Sequence, residues 1–344
     1  NWTTYAVKTD GTLWAWGDNS FGRLGVGDTE DRYTPVKVMD NVSTITAFNI
    51  ENDGYYTWDS AFVVKTDGTL WAWGRNNHGQ LGVGDTEDRY TPVKVTDDVS
   101  TIALGYRDSA YAVKTDGTLW AWGNNYWGQL GVGDAKNRYA PVKVMDNVST
   151  ITASDYSAYA VKTDGTLWAW GWDGYDDLGI DNNVSTDIPV KVTDNVSFFI
   201  HSVSSSFAVK TDGTLWAWGR NEYGQLGVGD TETRYVPVKV MDNVSTIIAS
   251  DYSASDYSAY AVKTDGTLWA WGDNGWGQLG VGDTEPRYVP VKVTDSVSAV
   301  AVDENGTSAY MVKTDGTLWA WGNNINGQLG VGDGSDRSSP VKVM

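Results

Sequence analysis

The sequence predicts an all-β fold, a seven-bladed β-propeller of four-stranded antiparallel blades. Three observations carry that prediction. The phrase Lys-Thr-Asp-Gly-Thr-Leu-Trp-Ala-Trp-Gly occurs seven times without change in 344 residues, beginning at Lys8, Lys65, Lys114, Lys162, Lys210, Lys263 and Lys313. Successive copies lie 57, 49, 48, 48, 53 and 50 residues apart, the period of a propeller blade. After each copy come seventeen residues and then Pro-Val-Lys-Val, at Pro35, Pro92, Pro141, Pro189, Pro237, Pro290 and Pro340. No segment shows helical periodicity. Residues 1–344 therefore read as one domain, with the second strand of each blade starting near residues 5, 62, 111, 159, 207, 260 and 310.

Each repeat supplies four strands, here A to D. In the third interval they are A (Val148–Ala153), B (Tyr159–Lys162), C (Leu167–Trp170) and D (Pro189–Val192). Valine, threonine, tyrosine and tryptophan dominate, and four to six residues is strand length. The Asp-Gly between B and C, as in Asp164-Gly165, predicts a two-residue hairpin with positive φ at both central positions. Leu167 and Ala169 point one way, and Trp168 and Trp170 the other. All four are apolar, as in a sheet covered on both faces. Strand D carries Pro and Lys, which blunt an outer edge. Strands B, C and D occur seven times but strand A only six. One blade is therefore expected to lack its inner strand, and the chain is expected to belong to a longer multidomain protein whose flanking residues supply it.

Composition narrows the function classes. With no Cys and two His, thiolate chemistry is excluded and a histidine metal centre disfavoured. No apolar run is long enough for a membrane helix, so no membrane insertion is expected. A net charge of −19 argues against nucleic acid, whose phosphates require clustered Lys and Arg.

Strand polarity separates constant loops from varied ones. Connections A–B and C–D leave one end of the blades, and B–C and D–A leave the other. The B–C turn is always Thr-Asp-Gly-Thr, and the D–A turn is Asp-Asn-Val-Ser or a close variant. The A–B loops differ in length, and the C–D loops differ in their early residues. Fourteen of nineteen Trp belong to the strand C phrase. Most of the remaining aromatics fall in the varied loops: Tyr55, Tyr56, Trp58, Tyr106, Tyr126, Trp127, Trp172, Tyr175, Tyr223, Tyr252, Tyr257 and Trp276. Tyr156 lies there too, outside this ligand-binding set. Acidic residues such as Glu51, Asp53, Asp59, Asp108 and Asp155 share these loops. An aromatic, acidic surface on rigid loops suits a cationic protein patch or a stacked sugar.

The pattern Trp-Gly-x-Asn-x-x-Gly-Gln-Leu-Gly-x-Gly, at Trp122–Gly133 and Trp218–Gly229, resembles the regulator-of-chromosome-condensation repeat. The resemblance extends over essentially the whole chain and implies the seven-bladed propeller. It implies function only weakly. The family includes a guanine-nucleotide exchange factor that docks on chromatin, a bacterial inhibitor of β-lactamases, and bacterial surface proteins. The expectation is a non-catalytic, secreted or cell-surface recognition module for a protein or glycan, without cofactor. An enzyme inhibitor, a carbohydrate-active enzyme and an exchange factor are the alternatives.

Three other signals are weaker. The fourth repeat carries Asp173, Asp176, Asp177 and Asp181 in place of the usual loop, a weak calcium candidate without the grammar of a known calcium loop. Asn-Val-Ser at Asn41, Asn147, Asn195 and Asn243 is formally a glycosylation acceptor, but it sits where a turn favours Asn. His78 and His201 have no partner legible in the sequence.

Overall fold

The computed structural model describes residues 3–47, 59–105, 107–174, 176–180, 184–202, 204–250, 257–303 and 305–343. They form seven antiparallel sheets, six of four strands and one of three. The three-stranded sheet is the first, with β1 (Thr3–Val7), β2 (Leu13–Gly17) and β3 (Arg32–Met39) in that order. The second contains β4 (Val42–Ala47), β5 (Ser60–Lys65), β6 (Leu70–Gly74) and β7 (Arg89–Thr96). Each later sheet repeats this A–B–C–D order. Among the described residues the one helical element is a single 3-10 turn, Ser20–Gly22. The all-β architecture and the missing inner strand of one blade are thus as the sequence predicts.

The chain divides into two compact units, Asn1–Trp172 with Val184–Lys191, and Asp173–Asn183 with Val192–Met344. Within each, the sheets pack face to face through one recurring core. In the first unit Phe62, Val64, Leu70 and Ala72 of one sheet meet Val99, Ala110, Ala112 and Trp122 of the next. In the second unit Phe207, Leu215 and Ala217 meet Val244, Ala259, Ala261 and Trp271. The second Trp of each strand C phrase is fully buried from Trp73 onward. The first Trp is half-buried, roofed by the motif Lys, with Lys8 Nζ 4.3 Å and Lys210 Nζ 4.2 Å from the ring centroids.

The B–C turn differs from the expected one. Positive φ occurs only at the glycine, as at Gly11 (φ 77°), and Asp10 stays in the ordinary region. Gly11 N donates to Lys8 O and Lys8 N to Thr12 O, so the loop has three residues and closes with a left-handed glycine. The Asp is there for its carboxylate: Asp10 Oδ1 accepts from Thr12 N at 3.0 Å and Thr12 Oγ1 at 2.7 Å. In the D–A turn, Asn41, Asp98, Asn147, Asn195, Asn243 and Ser296 all hold φ between 60° and 63°. That backbone demand explains the recurrent Asn.

The separation of constant from varied loops holds within each unit. Val42 N donates to Gly11 O and Thr66 N to Asn41 O, so B–C and D–A turns meet at one end. Asn124 N donates to Asp108 O and Arg220 N to Ser204 O, so A–B and C–D loops meet at the other.

Candidate recognition site

The C–D loop is a rigid frame built from repeated residues. Asn76, Asn125, Asn221 and Asn274 are fully buried, and each accepts through Oδ1 from the amide of the following motif Leu, at 2.9 to 3.0 Å. The carbonyl just before that Leu is a shared acceptor. Gln129 O takes the Tyr111 hydroxyl at 2.5 Å and, from the next sheet, Trp170 Nε1 at 2.7 Å. Gln278 O takes Tyr260 and Trp321 in the same way. Burial holds the Tyr111 and Tyr260 phenols well above their usual pKa, so these hydroxyls stay donors. A Cβ on Gly131 would stand 2.7 Å from Trp170 Nε1, and its φ of 71° disfavours any other residue. The neighbouring indole can reach this carbonyl only past a glycine.

On this frame the motif glutamine fixes the varied residue. Gln80 Oε1 accepts from His78 N, Gln129 Oε1 from Trp127 N, Gln225 Oε1 from Tyr223 N and Gln278 Oε1 from Trp276 N, all at 2.8 to 3.0 Å. The varied side chains then meet the A–B loop of the next sheet, differently at each junction. Arg23, standing where five of the other repeats have Gln, forms a buried ion pair with Asp59. His78 Nδ1 lies 2.7 Å from Asp108 Oδ2, and Gln80 Nε2 donates to Asp108 Oδ1 at 3.2 Å. Trp127 meets Tyr156 and Trp172. Tyr223 stacks on Tyr257 at 5.2 Å and 26°.

The Trp127 junction is the largest aromatic group. Trp127 lies 5.1 Å from Tyr126, 5.7 Å from Tyr156 and 5.5 Å from Trp172, and Tyr156 lies 5.0 Å from Trp172. Three of these four contacts are edge-to-face, the favoured arrangement of aromatic quadrupoles. Arg107 covers Tyr156 at 4.8 Å. Nearby Asp155 is held above the usual carboxylate range by burial, against the pull of Arg107. Tyr126 remains 71% exposed and Trp127 41%. The cluster is therefore ordered from beneath and open above.

Among the other expected ligand-binding residues, Tyr223 and Trp276 are exposed in the second unit. Tyr257 is nearly covered and forms the floor under Tyr223. Tyr55, Tyr56, Trp58, Tyr106, Tyr175 and Tyr252 lie outside the described residues. Tyr156 joins the site although the ligand-binding set omits it; its place in an A–B loop is the signal that would have included it.

Among the described residues, the carboxylates of the acidic loop in the fourth repeat take separate roles. Asp173 occupies the position of the motif Asn, and its Oδ1 accepts from Leu178 N at 3.0 Å. Asp177 O takes Trp218 Nε1, as Gln129 O takes Trp170, and its carboxylate lies 3.8 Å from His201 Nε2. Asp181 lies outside the described residues. No cluster of three metal-ligating side chains occurs among the described residues. His201 also meets Ser206 Oγ at 3.1 Å, a Ser–His–Asp composition sealed from solvent, with the imidazole pushed down to about 3 by burial. It locks a junction and offers a substrate no entry.

A family model of the regulator of chromosome condensation (RCC1) repeat matches residues 10–48, 67–111, 116–161, 164–206, 212–262, 265–303 and 315–344. The ultraviolet-B receptor UVR8 of Arabidopsis thaliana is 36% identical over 106 residues, covering 30% of this chain and 23% of the receptor. The secretion-regulating guanine nucleotide exchange factor of Bos taurus is 37% identical over 91 residues, covering 26% of this chain and 19% of the factor. The chain thus aligns with less than a quarter of either relative. Among solved structures, human WBSCR16 matches with a TM-score of 0.63 and 20% identity over 97% of this chain and 94% of that one. Prp20p of Saccharomyces cerevisiae, studied for its binding to Gsp1p and histones, matches with 0.61 and 18% over 99% and 87%. These likenesses show the fold alone, the propeller whose blades are the seven sheets.

Proposed function

The chain belongs to the regulator of chromosome condensation (RCC1) repeat family, and from that premise we propose that it is a non-catalytic recognition module that binds a protein through Tyr126, Trp127, Trp172 and Tyr156. One observation carries the reading: four rings in mutual contact, supported from below, with Tyr126 71% and Trp127 41% exposed. Preordered Tyr and Trp give contact area at small entropic loss and dominate binding hot spots. The fold supports the choice of a protein partner, since the similar Prp20p binds Gsp1p and histones. A net charge of −19 favours a cationic patch on that partner. The sealed environment of His201 supports the non-catalytic reading. A secreted or cell-surface location is part of the proposal, supported by the resemblance to bacterial surface proteins.

The half-exposed face of Trp127 favours a glycan as the second reading, because indole faces stack on sugar rings. Tryptophan fluorescence separates the two. Titration with basic candidate proteins at low and high salt should give saturable quenching that weakens with salt. A saturable response to a neutral glycan panel, with none to proteins, supports the second reading. Trp127→Ala should abolish the response in either case; an unchanged response removes this site from consideration.

A further inference from the structure

The outer strand of the fourth repeat changes what borders the Trp127 junction. In six of the seven repeats strand D opens with Arg, and in five of these Tyr follows; the fourth opens with Thr186-Asp187. The backbone position is the same. Gly133 N donates to Asp187 O as Gly27 N does to Tyr90 O and Gly84 N to Tyr139 O, at 2.7 to 2.8 Å. At the sibling junctions the Tyr90 and Tyr139 rings lie against Gly22 and Gly79. Here Asp187 lies against Gly128, the residue after Trp127, and a Cβ on that glycine would stand 2.9 Å from the Asp187 Cβ. The carboxylate is also left without a counter-charge. Asp85 and Asp134 are each held by the strand D arginine four residues on, at 2.6 and 2.9 Å. Thr186 offers no such charge, and among the described residues Asp187 is exposed and has no ion-pair partner.

The same end of these blades already places guanidinium groups on rings. Arg107 stands 4.8 Å from the Tyr156 centroid, within the Trp127 group. Arg75 stands 5.4 Å from the Phe21 centroid, and Phe21 occupies in the first repeat the position of Trp127 in the third. Arg75 itself holds in the second repeat the position that Trp172 takes in the fourth. At the Trp127 junction a ring thus replaces the arginine, and the 79° corner between the Tyr126 and Trp127 rings faces solvent. Guanidinium suits such a corner, because it stacks flat on an indole while its N–H fork bonds a carboxylate in plane.

We propose that Tyr126, Trp127 and Asp187 together form a subsite for an arginine side chain of the protein partner. The guanidinium lies on the exposed face of Trp127 beside Tyr126, and two of its N–H groups donate to the Asp187 carboxylate. The inference rests on the protein-recognition reading above and adds to it a specificity-determining residue, Asp187, outside the four rings. Lysine fits less well, because its compact ammonium keeps its hydration and presents no planar fork.

The test titrates the 344-residue chain with acetyl-Gly-Arg-Gly-Arg-Gly-amide and with its lysine and citrulline counterparts. Calorimetry at low salt gives the affinities, and heteronuclear NMR follows the Trp127 indole N–H, assigned through Trp127→Phe. The expected result is saturable binding of the arginine peptide with a shift of the Trp127 signal. The lysine peptide should bind about fivefold more weakly, and the neutral citrulline peptide not at all. Asp187→Asn should weaken the arginine peptide about tenfold, the worth of a charge-assisted pair, at an unchanged thermal midpoint. Asp187→Tyr, which restores the residue of the sibling repeats, should do the same. The proposal is overturned by absent binding, by equal affinity for the arginine and lysine peptides, by binding of the citrulline peptide, or by full affinity in either Asp187 variant. The broader reading fails separately: a basic protein whose binding is lost in Trp127→Ala but untouched in Asp187→Asn keeps the recognition surface and removes the arginine subsite.

Discussion

Two junctions of the first unit use the same loop positions to opposite ends. Between the first and second sheets, Arg23 and Asp59 form an ion pair with both residues buried. Between the third and fourth, Trp127 meets Tyr156 and Trp172, and part of the group faces solvent. Varied residues thus serve first to fasten one blade to the next. Variation alone does not mark a binding surface. What marks it is a fastening made of groups that still have an outward face.

The largest expected effect is at the buried ion pair. Asp59→Ala leaves the Arg23 guanidinium in a site that excludes water, and the second sheet should lose about 3–5 kcal/mol of support on the first. Denaturant titration checks this. The double change Arg23→Gln and Asp59→Ser, which installs neutral groups such as other junctions use, should recover most of the loss. If Asp59→Ala shifts the midpoint no more than a surface substitution does, the pair is not a lock and the comparison fails.

The junction around the fourth repeat makes stability depend on pH. Burial raises the Asp173 carboxyl to about 6. The unfolded carboxyl titrates near 3.8, so the folded state holds a proton that the unfolded state has released, and stability falls as pH rises from about 4 to 6. His201 has the opposite sign. Its imidazole titrates at about 3 when folded and near 6.5 when unfolded, so stability falls as pH drops through that window. Asp173→Asn restores the motif residue and removes the first trend. It should stabilise the protein by about 1 kcal/mol at pH 7 and by nothing measurable at pH 4. Melting curves across that range check it. A gain independent of pH would mean that the carboxyl is not the source.

Much of this fold is legible in the sequence because the repeat is nearly identical from blade to blade. Strand A of the third interval spans Val148–Ala153 as expected. Strand B begins earlier, at Ser157, because Ser157 still pairs with Gly171, the last residue of the repeated phrase. The turn was harder: Asp-Gly suggests two left-handed residues, but the Thr12 hydroxyl and amide hold Asp10 in the ordinary region and leave only Gly11 left-handed. The site was half legible. Strand polarity places the varied loops at one end, yet it cannot say which side chain will meet which. Asp108 meets His78 across 30 residues and two repeats, and no local pattern encodes that pairing. Tyr257 and Tyr223 look alike as loop tyrosines, but one lies beneath the other.

The smallest expected effect on stability is the most direct test of the outward-facing junction. Tyr126 touches Trp127 edge-on at 5.1 Å but is 71% exposed, so Tyr126→Ala removes little buried area and should change stability by no more than about 0.5 kcal/mol. Trp127 supports Tyr156 and Trp172 as well, so Trp127→Ala should destabilise by about 1–2 kcal/mol while abolishing binding. The two variants therefore separate fastening from display. If the patch is a recognition surface, Tyr126→Ala weakens partner binding at least tenfold with the melting curve in place. If binding tracks stability across both variants, the rings only fasten two blades together, and this junction does the same work as Arg23 and Asp59.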